Sequence, residues 1–459
     1  MVIDGFTLQG GTNAAGITIA KQYSGSQILN NVIQNNSIGL FPASNGATQT
    51  IVKQNFFKNN NVPGASSGTG IYSDDGLSNA LIDNNKFTGH TSAAMNLIGL
   101  QSFTVSNNQL VADASIVLFN SMTGSIANNI STAPQGSGLF LGGGNNGVDV
   151  TGNTISGGVS SAVNVQDVGY GPNTSISVLG NTLTENGYGI RVNAGALATP
   201  LEAHFNRIVG STTSGLHNNS TSQVNAENNW WGCNDGPVNT VDCDAVSGTG
   251  PVNFDPWLVL GISASPDSVA TEGDSTITAD LTRNSADTDT SGSGTLPNGT
   301  PTAFTTDLGS VSPASAETAD GKATTTFAAG STAGTATVEA TVDQQSVSAP
   351  VTVEEQEPPD DRIQCTSKPC YGTNQADIIL ERVGNGLNDE IRARAGGDTV
   401  RANNYKNDRD LVYGGDGGDT LRVDDGDSKD EVRGQGGSDT CIVDARREAV
   451  SGCERIIVR

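Results

Sequence analysis

The hydrophobic pattern of the first half of the chain repeats. Asn31, Asn55, Asn85, Asn108, Asn129, Asn153, Asn181, Asn206 and Asn229 recur at intervals of 21 to 30 residues. Three places before them stand Ile28, Val52, Ile82, Val105, Ile126, Val150, Val178, Ala203 and Ala226. Two places after stand Ile33, Phe57, Phe87, Leu110, Ile155, Leu183, Ile208 and Trp231, with Ser131 the exception. An earlier copy begins at Ile3 and has Phe6 in the asparagine slot. Side chains alternate faces along a strand, so positions −3 and +2 cannot share one face of a straight strand. They share one interior if the chain bends at the asparagine, a residue that tolerates the left-handed conformation of a tight bend. Stacked copies then align the asparagines in a column of amides bonded one to the next. The spacing predicts a parallel β-helix of about ten coils, roughly 48 Å long at ~4.8 Å per coil.

The pattern changes twice further along. From about Gly261 to Val353 short period-two runs such as Thr335–Val342 alternate with Gly, Pro and Asp turns, which predicts an antiparallel β-sandwich. An acidic, proline-containing linker follows at 354–362. Beyond it Gly414-Gly415-Asp416-Gly417-Gly418-Asp419-Thr420-Leu421-Arg422 matches the nonapeptide G-G-x-G-x-D-x-U-x in full. Its aspartate belongs to a series: Asp377, Asp389, Asp398, Asp410, Asp419, Asp430 and Asp439. Two places after these come Ile379, Ile391, Val400, Val412, Leu421, Val432 and Cys441. In such a repeat glycines let the turn fold back and expose carbonyls. Aspartates add hard anionic oxygens, and the apolar residues stack inside. Carbonyls and carboxylates of neighbouring turns can complete the six to eight oxygens that Ca²⁺ prefers. The expected calcium ligands are Gly414, Gly415 and Gly417 with these seven aspartates. The edge carrying Asp398, Asp419 and Asp439 has regular nonapeptides. The edge carrying Asp389, Asp410 and Asp430 has turns two or three residues longer, and is expected to bind less well.

Charge and composition narrow the function. The 459 residues include 48 acids against 23 bases, a net charge of −25. That argues against a nucleic-acid partner, whose phosphates require clustered Lys and Arg, and against a basic membrane patch, and no run of ~18 apolar residues offers a membrane span. Six cysteines fall into three close pairs, Cys233 with Cys243, Cys365 with Cys370 and Cys441 with Cys453. They suggest disulfides and an oxidising compartment. The N-terminus lacks the features of a signal peptide, so the start of a longer parent is expected to be missing and the first strand to be an open edge.

The repeat, with its closing Asn228-Asn229-Trp230-Trp231-Gly232, Asp235-Gly236-Pro237 and Phe254-Asp255-Pro256-Trp257-Leu258, resembles the right-handed β-helix of the pectate-lyase-like superfamily. Its nearest likeness is to secreted members related to a periplasmic copper-site maturation factor. Three histidines (His90, His204, His217) and three methionines are sparse for handling copper. The tryptophans are expected to cap the last coil rather than to form a sugar platform. Ala264–Val269, Gly309–Pro313 and Ala319–Ala323 resemble invasin- and intimin-type Ig-like domains, which implies a spacer. The last region resembles RTX-type calcium-binding repeats.

Enzymes of the β-helix class supply the comparison for catalysis. Asp74-Asp75, Gly89-His90-Thr91 and Arg191-Val192-Asn193 follow the order of the polygalacturonase motifs. The spacings differ, a glycine is missing and the lysine is absent. Asp74, Asp75 and His90 are the catalytic candidates only if His90 faces Asp75; the blander reading is a turn with solvated carboxylates. Tyr170-Gly171-Pro172-Asn173-Thr174 shares the opening of the alginate-epimerase motif but lacks its Asp and His.

The expected architecture is therefore all-β: a right-handed parallel β-helix over 1–258, an Ig-like sandwich over 261–353, and a calcium-binding β-roll over 363–459. The expected function is calcium-dependent adhesion or glycan binding outside the cell or on its surface, toward a polysaccharide or a host-surface ligand. A polysaccharide hydrolase or lyase is the alternative, and a purely structural surface protein the second. An aromatic row on the helix surface would favour a binder, and acids converging on His90 an enzyme.

Overall fold

Most coils of the repeat turn two corners with one device, a residue in the left-handed region followed by an inward-pointing side chain. The computed structural model describes residues 1–238, 242–355, 362–384 and 386–459. In a representative coil Leu77–Asp83 runs into Lys86–Thr88 and then Ala93–Ile98. Coil on coil, these strands build three parallel sheets of eleven, nine and ten strands. Eleven stacked strands span roughly 48 Å, the length expected from the repeat count.

The first corner lies at the predicted asparagines, with one correction. The left-handed residue is the one before the ladder asparagine: Asn30, Gln54, Asn84, Asn107 and their counterparts through Asn228 have φ between 53° and 63°. The ladder asparagine points inward instead. From Asn31 to Asn229 each Nδ2 donates to the next Oδ1 at 2.9–3.0 Å. The same Nδ2 also reaches the carbonyl at the −3 position of the preceding coil, as in Asn108 to Ile82. A backbone N–H joins the same oxygen, so Asn85 N donates to Asn108 Oδ1 at 2.9 Å. The ladder thus satisfies polar groups that water cannot reach. The −3 and +2 residues fill one continuous core, in which the Phe57 and Phe87 rings stack 4.8 Å apart.

Ser131, the exception at +2, is buried with its hydroxyl unpartnered and lines a cavity of about 10 Å³. Ser131→Val removes the orphan and adds apolar contact. It is expected to raise the stability of the helix by about 1 kcal/mol, read as a higher denaturant midpoint.

The second corner follows no single residue type. Five places after the ladder asparagines stand Asn36, Asn60, His90, Asp113 and, further on, Asn186. Left-handed Asn35, Asn59, Gly89, Ala112 and Glu185 precede them. Asn36 Nδ2 donates to Asn60 Oδ1 at 3.0 Å, Asn60 Nδ2 approaches His90 Nε2 at 3.1 Å, and His90 Nδ1 meets Asp113 Oδ2 at 2.7 Å. A second ladder therefore runs through part of the solenoid, built from mixed side chains.

The last coil closes as expected. Trp230 and Trp231 are fully buried, and Cys233 is bridged to Cys243. Trp231 belongs to the helix core, whereas Trp230 packs with Leu258, Leu260 and Phe304 in the next core. Trp230 Nε1 donates to Asp343 Oδ2 at 2.8 Å, and Asp343 also pairs with Arg207. Composition changes at residue 258, but packing runs straight across it. Residues 1–355 form one compact unit. Its second part is a four-stranded antiparallel sheet facing a five-stranded mixed one around a shared core.

The second unit covers the described residues from 362 onward. Of the predicted linker 354–362, residues 356–361 lie outside the described residues. The unit is a parallel solenoid of a six-stranded and a five-stranded sheet. The apolar residues that follow each aspartate are 0–1% exposed and form its core. Cys365–Cys370 and Cys441–Cys453 are bridged.

Candidate functional site

Two surfaces hold chemistry, one in each unit. In the first unit the inward alternation of the ten-stranded sheet leaves one outward column. Its register runs Thr18–Phe41, then Tyr72–Asn96–Val117–Phe140–Asn164–Arg191–His217. Phe41 and Tyr72 touch across their strands at 5.8 Å. Phe119, one pleat along, meets Phe140 edge-on at 6.0 Å and carries Tyr170 stacked on it at 5.1 Å. Tyr170 sits there because Asp167 Oδ1 accepts the N–H groups of Gly169 and Gly171 and folds that loop back. Tyr170 is 46% exposed and the other rings are half-buried. Tyr188 ends the row, with Arg191 over its face at 5.1 Å and His217 at 5.4 Å. Burial raises the Tyr72 phenol, whose hydroxyl donates to Asp74 Oδ2 at 2.9 Å.

The structure does not assemble the catalytic candidates. His90 is fully buried in the second ladder. Its Nε2 is held by the Asn60 amide, its Nδ1 by Asp113, and its own backbone N–H also donates to Asp113 at 2.8 Å. Asp74 and Asp75 are exposed, and Asp74 is engaged by Tyr72. Gly89-His90 reads as a turn: the glycine takes the left-handed position (φ 77°) and the histidine the ladder position. A cleft lined by Asn234, Trp257, Asp280 and Arg283 lies below the cap. Its charges pair among themselves and their neighbours, Arg283 with Asp287 and Asp280 with Lys322.

In the second unit the seven aspartates form two columns, each 1–4% exposed. Along one, Asp377 N donates to Asp398 Oδ1, Asp398 N to Asp419 Oδ1 and Asp419 N to Asp439 Oδ1, at 2.8–2.9 Å. Along the other, Asp389 N donates to Asp410 Oδ1 and Asp410 N to Asp430 Oδ1, both at 2.7 Å. One carboxylate oxygen of each accepting residue is thus spent on the backbone. The other oxygen, Oδ2, of Asp398, Asp419, Asp439 and Asp430 has no partner. Burial and neighbouring carboxylates push Asp398 up to about 6 and Asp410 and Asp430 up to about 8.

Glycines make room for the orphan oxygens. A methyl at Gly414 would collide with Asp419 Oδ2, and one at Gly434 with Asp439 Oδ2. At the equivalent place before Asp398 stands Ala393. Gly415 and Gly417 lie against the carbonyls of Arg394 and Gly396 in the coil below, where no side chain fits. Two of the predicted ligands are already occupied. Asp377 accepts from Thr373 N and Oγ1, and Asp389 is clamped by the backbone N–H and guanidinium of Arg382.

The long-turn edge carries further acids that the nonapeptide pattern did not include. Glu381, Asp408, Asp425 and Glu448 are buried, and Asp427 lies among them. Burial raises Glu381 to about 7 and Asp425 to about 6.

Residues 15–177 match the family model described as a right handed beta helix region. The solenoid part of the first unit is thus a right-handed parallel β-helix. No curated protein matches the chain. Two solved structures are similar: the tailspike of Acinetobacter phage vb_AbaP_AS12 and the enzymatically active domain of tailspike protein 2 of bacteriophage CBA120. The first is 10% identical with a TM-score of 0.29, covering 81% of this chain and 79% of that one. The second is 10% identical with a TM-score of 0.20, covering 76% and 72%. Likenesses this loose support nothing about activity. Among the described residues no helix is long and apolar enough to cross a membrane.

Proposed function

We propose that this protein is an extracellular or cell-surface glycan-binding protein, whose β-helix holds a polysaccharide along the aromatic row of its ten-stranded sheet. The observation that carries this reading is the row itself: Phe41, Tyr72, Phe119, Phe140, Tyr170 and Tyr188 on one outer face. Parallel strands repeat every ~4.8 Å, so the row is a long, shallow track suited to an extended chain. Ring faces supply apolar contact for sugar C–H surfaces, and the tyrosine hydroxyls and the Arg191 guanidinium supply hydrogen bonds beside them. The net charge of −25 repels polyanions, so a neutral polysaccharide is the favoured ligand over a uronate polymer. Three disulfides support an oxidising compartment. The sandwich is read as an Ig-like spacer, supported by its length and two-sheet build.

Calcium is proposed as a folding cofactor of the second unit. Orphan oxygens on Asp419 and Asp439 beside glycine cradles favour binding on the regular edge. The methyl of Ala393 and the engagement of Asp377 argue against full occupancy of that edge.

Affinity electrophoresis of the whole protein through gels of neutral and of uronic polysaccharides tests the ligand. Retardation in a neutral gel is expected, with Tyr72→Ala plus Phe140→Ala weakening binding about tenfold or more, the equivalent of ~1.4 kcal/mol. Equal mobility in every gel would remove the glycan reading. Release of new reducing ends would move the protein to the enzyme alternative.

A further inference from the structure

The long turns that interrupt the nonapeptide pattern bring acids from three successive coils together. Asp408 comes from the turn before Leu411–Gly417, and Asp425, Asp427 and Asp430 from the turn before Glu431–Gly437. Glu448 comes from the turn before Ala449–Ser451. Oxygens of Asp408, Asp425 and Asp427 lie within 4.8 Å of one another, as do those of Asp427, Asp430 and Glu448. Asp427 belongs to both groups.

The second observation is what these oxygens lack. Asp408 Oδ1, Asp430 Oδ2 and Glu448 Oε1 have no hydrogen-bond partner, although their residues are only 3%, 4% and 1% exposed. The backbone uses other oxygens: Asn407 N and Lys429 N donate to Asp427, Asp427 N to Asp425, Asp410 N to Asp430, and Ala445 N to Glu448, while Asp425 also bonds the Asp444 side chain. The bases of this edge do not fill the gap. Lys429 reaches Asp427 and Asn407, Arg447 reaches the Ser428 carbonyl, and Lys406 Nζ lies beside Gly426; none of them bonds the three unpartnered oxygens. A buried acceptor left without a partner costs about 1–3 kcal/mol, and more for a charged one. Asp389, two coils before Asp430 in the same column, meets that cost with the Arg382 guanidinium. No arginine stands at the later positions.

We propose that Asp427, Asp430 and Glu448, joined through Asp427 to Asp408 and Asp425, form a calcium site that staples three successive coils at the long-turn edge. An all-oxygen, mostly anionic donor set selects a hard cation. Irregular turns that can supply variable numbers of carbonyls and waters suit Ca²⁺ better than the strict octahedron of Mg²⁺. The site is distinct from the glycine-lined edge: side-chain carboxylates replace the turn carbonyls that the nonapeptide uses. The edge expected to bind calcium less well thus has a site of its own.

The test is calorimetric titration of Ca²⁺ into the chelator-stripped full chain, with the bound stoichiometry read by native mass spectrometry. The wild type is compared with Asp427→Asn/Glu448→Gln at this edge and with Asp419→Asn/Asp439→Asn at the other. The expected result is loss of at least one calcium equivalent in the first variant that the second retains. Unchanged stoichiometry and affinity in the first variant would overturn the inference while leaving the glycine-edge reading intact. No binding by the wild type would remove both. Should the double variant lose its far-UV signature in saturating calcium, Asp425→Asn alone takes its place. Unchanged affinity there overturns the shared-ligand arrangement.

Discussion

Asn108→Ala is expected to destabilise the β-helix by roughly 3–6 kcal/mol. Asn108 is buried mid-column. Its Oδ1 accepts the backbone N–H and the amide of Asn85 at 2.9 and 3.0 Å. Its Nδ2 donates to the Ile82 carbonyl and to Asn129 Oδ1 at 3.0 and 2.9 Å. Truncation leaves two donors of Asn85 and the Ile82 carbonyl short of a partner, at about 1–3 kcal/mol each. It also opens space in a packed interior.

The effect should be graded along the column. Asn31 is the first of the amide series; its Oδ1 serves only the Phe6 N–H and its Nδ2 the part-buried Ile3 carbonyl beyond it, so Asn31→Ala should cost less. Asn128→Gly tests the other half of the device. That residue holds φ 56°, which glycine adopts freely, so the change should be close to neutral. The three tryptophans, Trp230, Trp231 and Trp257, all lie in the first unit. Their fluorescence in denaturant therefore follows this unit alone. A neutral Asn108→Ala would mean that the ladder is a consequence of stacking and contributes little to it.

The second large effect is a pH dependence of the C-terminal unit without divalent cation. Asp410 and Asp430 are raised to about 8, Glu381 to about 7, and Asp398 and Asp425 to about 6, each mainly by burial and then by neighbouring carboxylates. A carboxyl whose pKa is higher folded than unfolded binds more protons in the folded state. Its contribution is fully present below the unfolded value near 4 and is lost as pH rises through the folded value. In chelator the unit should therefore lose several kcal/mol between about pH 4 and about pH 8.

Calcium, which binds the ionised form, should restore stability at the upper end of that window and flatten the profile. Thermal unfolding followed in parallel by far-UV circular dichroism and tryptophan fluorescence checks this. The pH- and calcium-sensitive transition should appear in the dichroism and leave the tryptophan signal in place. A dichroism profile that is flat with pH in chelator would show that the acids meet their charge by other means.

Repetition with one residue type was readable from sequence, because every copy answers the same local need. Nine asparagines, each flanked by apolar residues at −3 and +2, announced a column. Seven aspartates with an apolar residue two places on announced two more. Three cysteine pairs announced their bridges by proximity.

Columns of mixed chemistry were not readable. The second corner requires only that each side chain match the one above and below, so Asn60, His90 and Asp113 serve equally and share no pattern. That is why His90 could pass for a catalytic group until Asn60 and Asp113 were seen at its two nitrogens. The left-handed residue escaped notice for a related reason: Asn, Gln, Gly and Phe all occupy it once the ladder behind it holds the turn.

The surfaces belong to the tertiary structure altogether. Phe41 and Tyr72 lie 31 residues apart along the chain and Phe119 and Tyr170 51, and each pair meets only because each coil returns to the same face. Asp408, Asp427 and Glu448 converge because irregular turns stack beside regular strands. Sequence determined where the chain must bend and what lies inside each coil, since bending and burial are local demands. The stacking of coils decided which residues became neighbours, because register across a sheet depends on every turn between them.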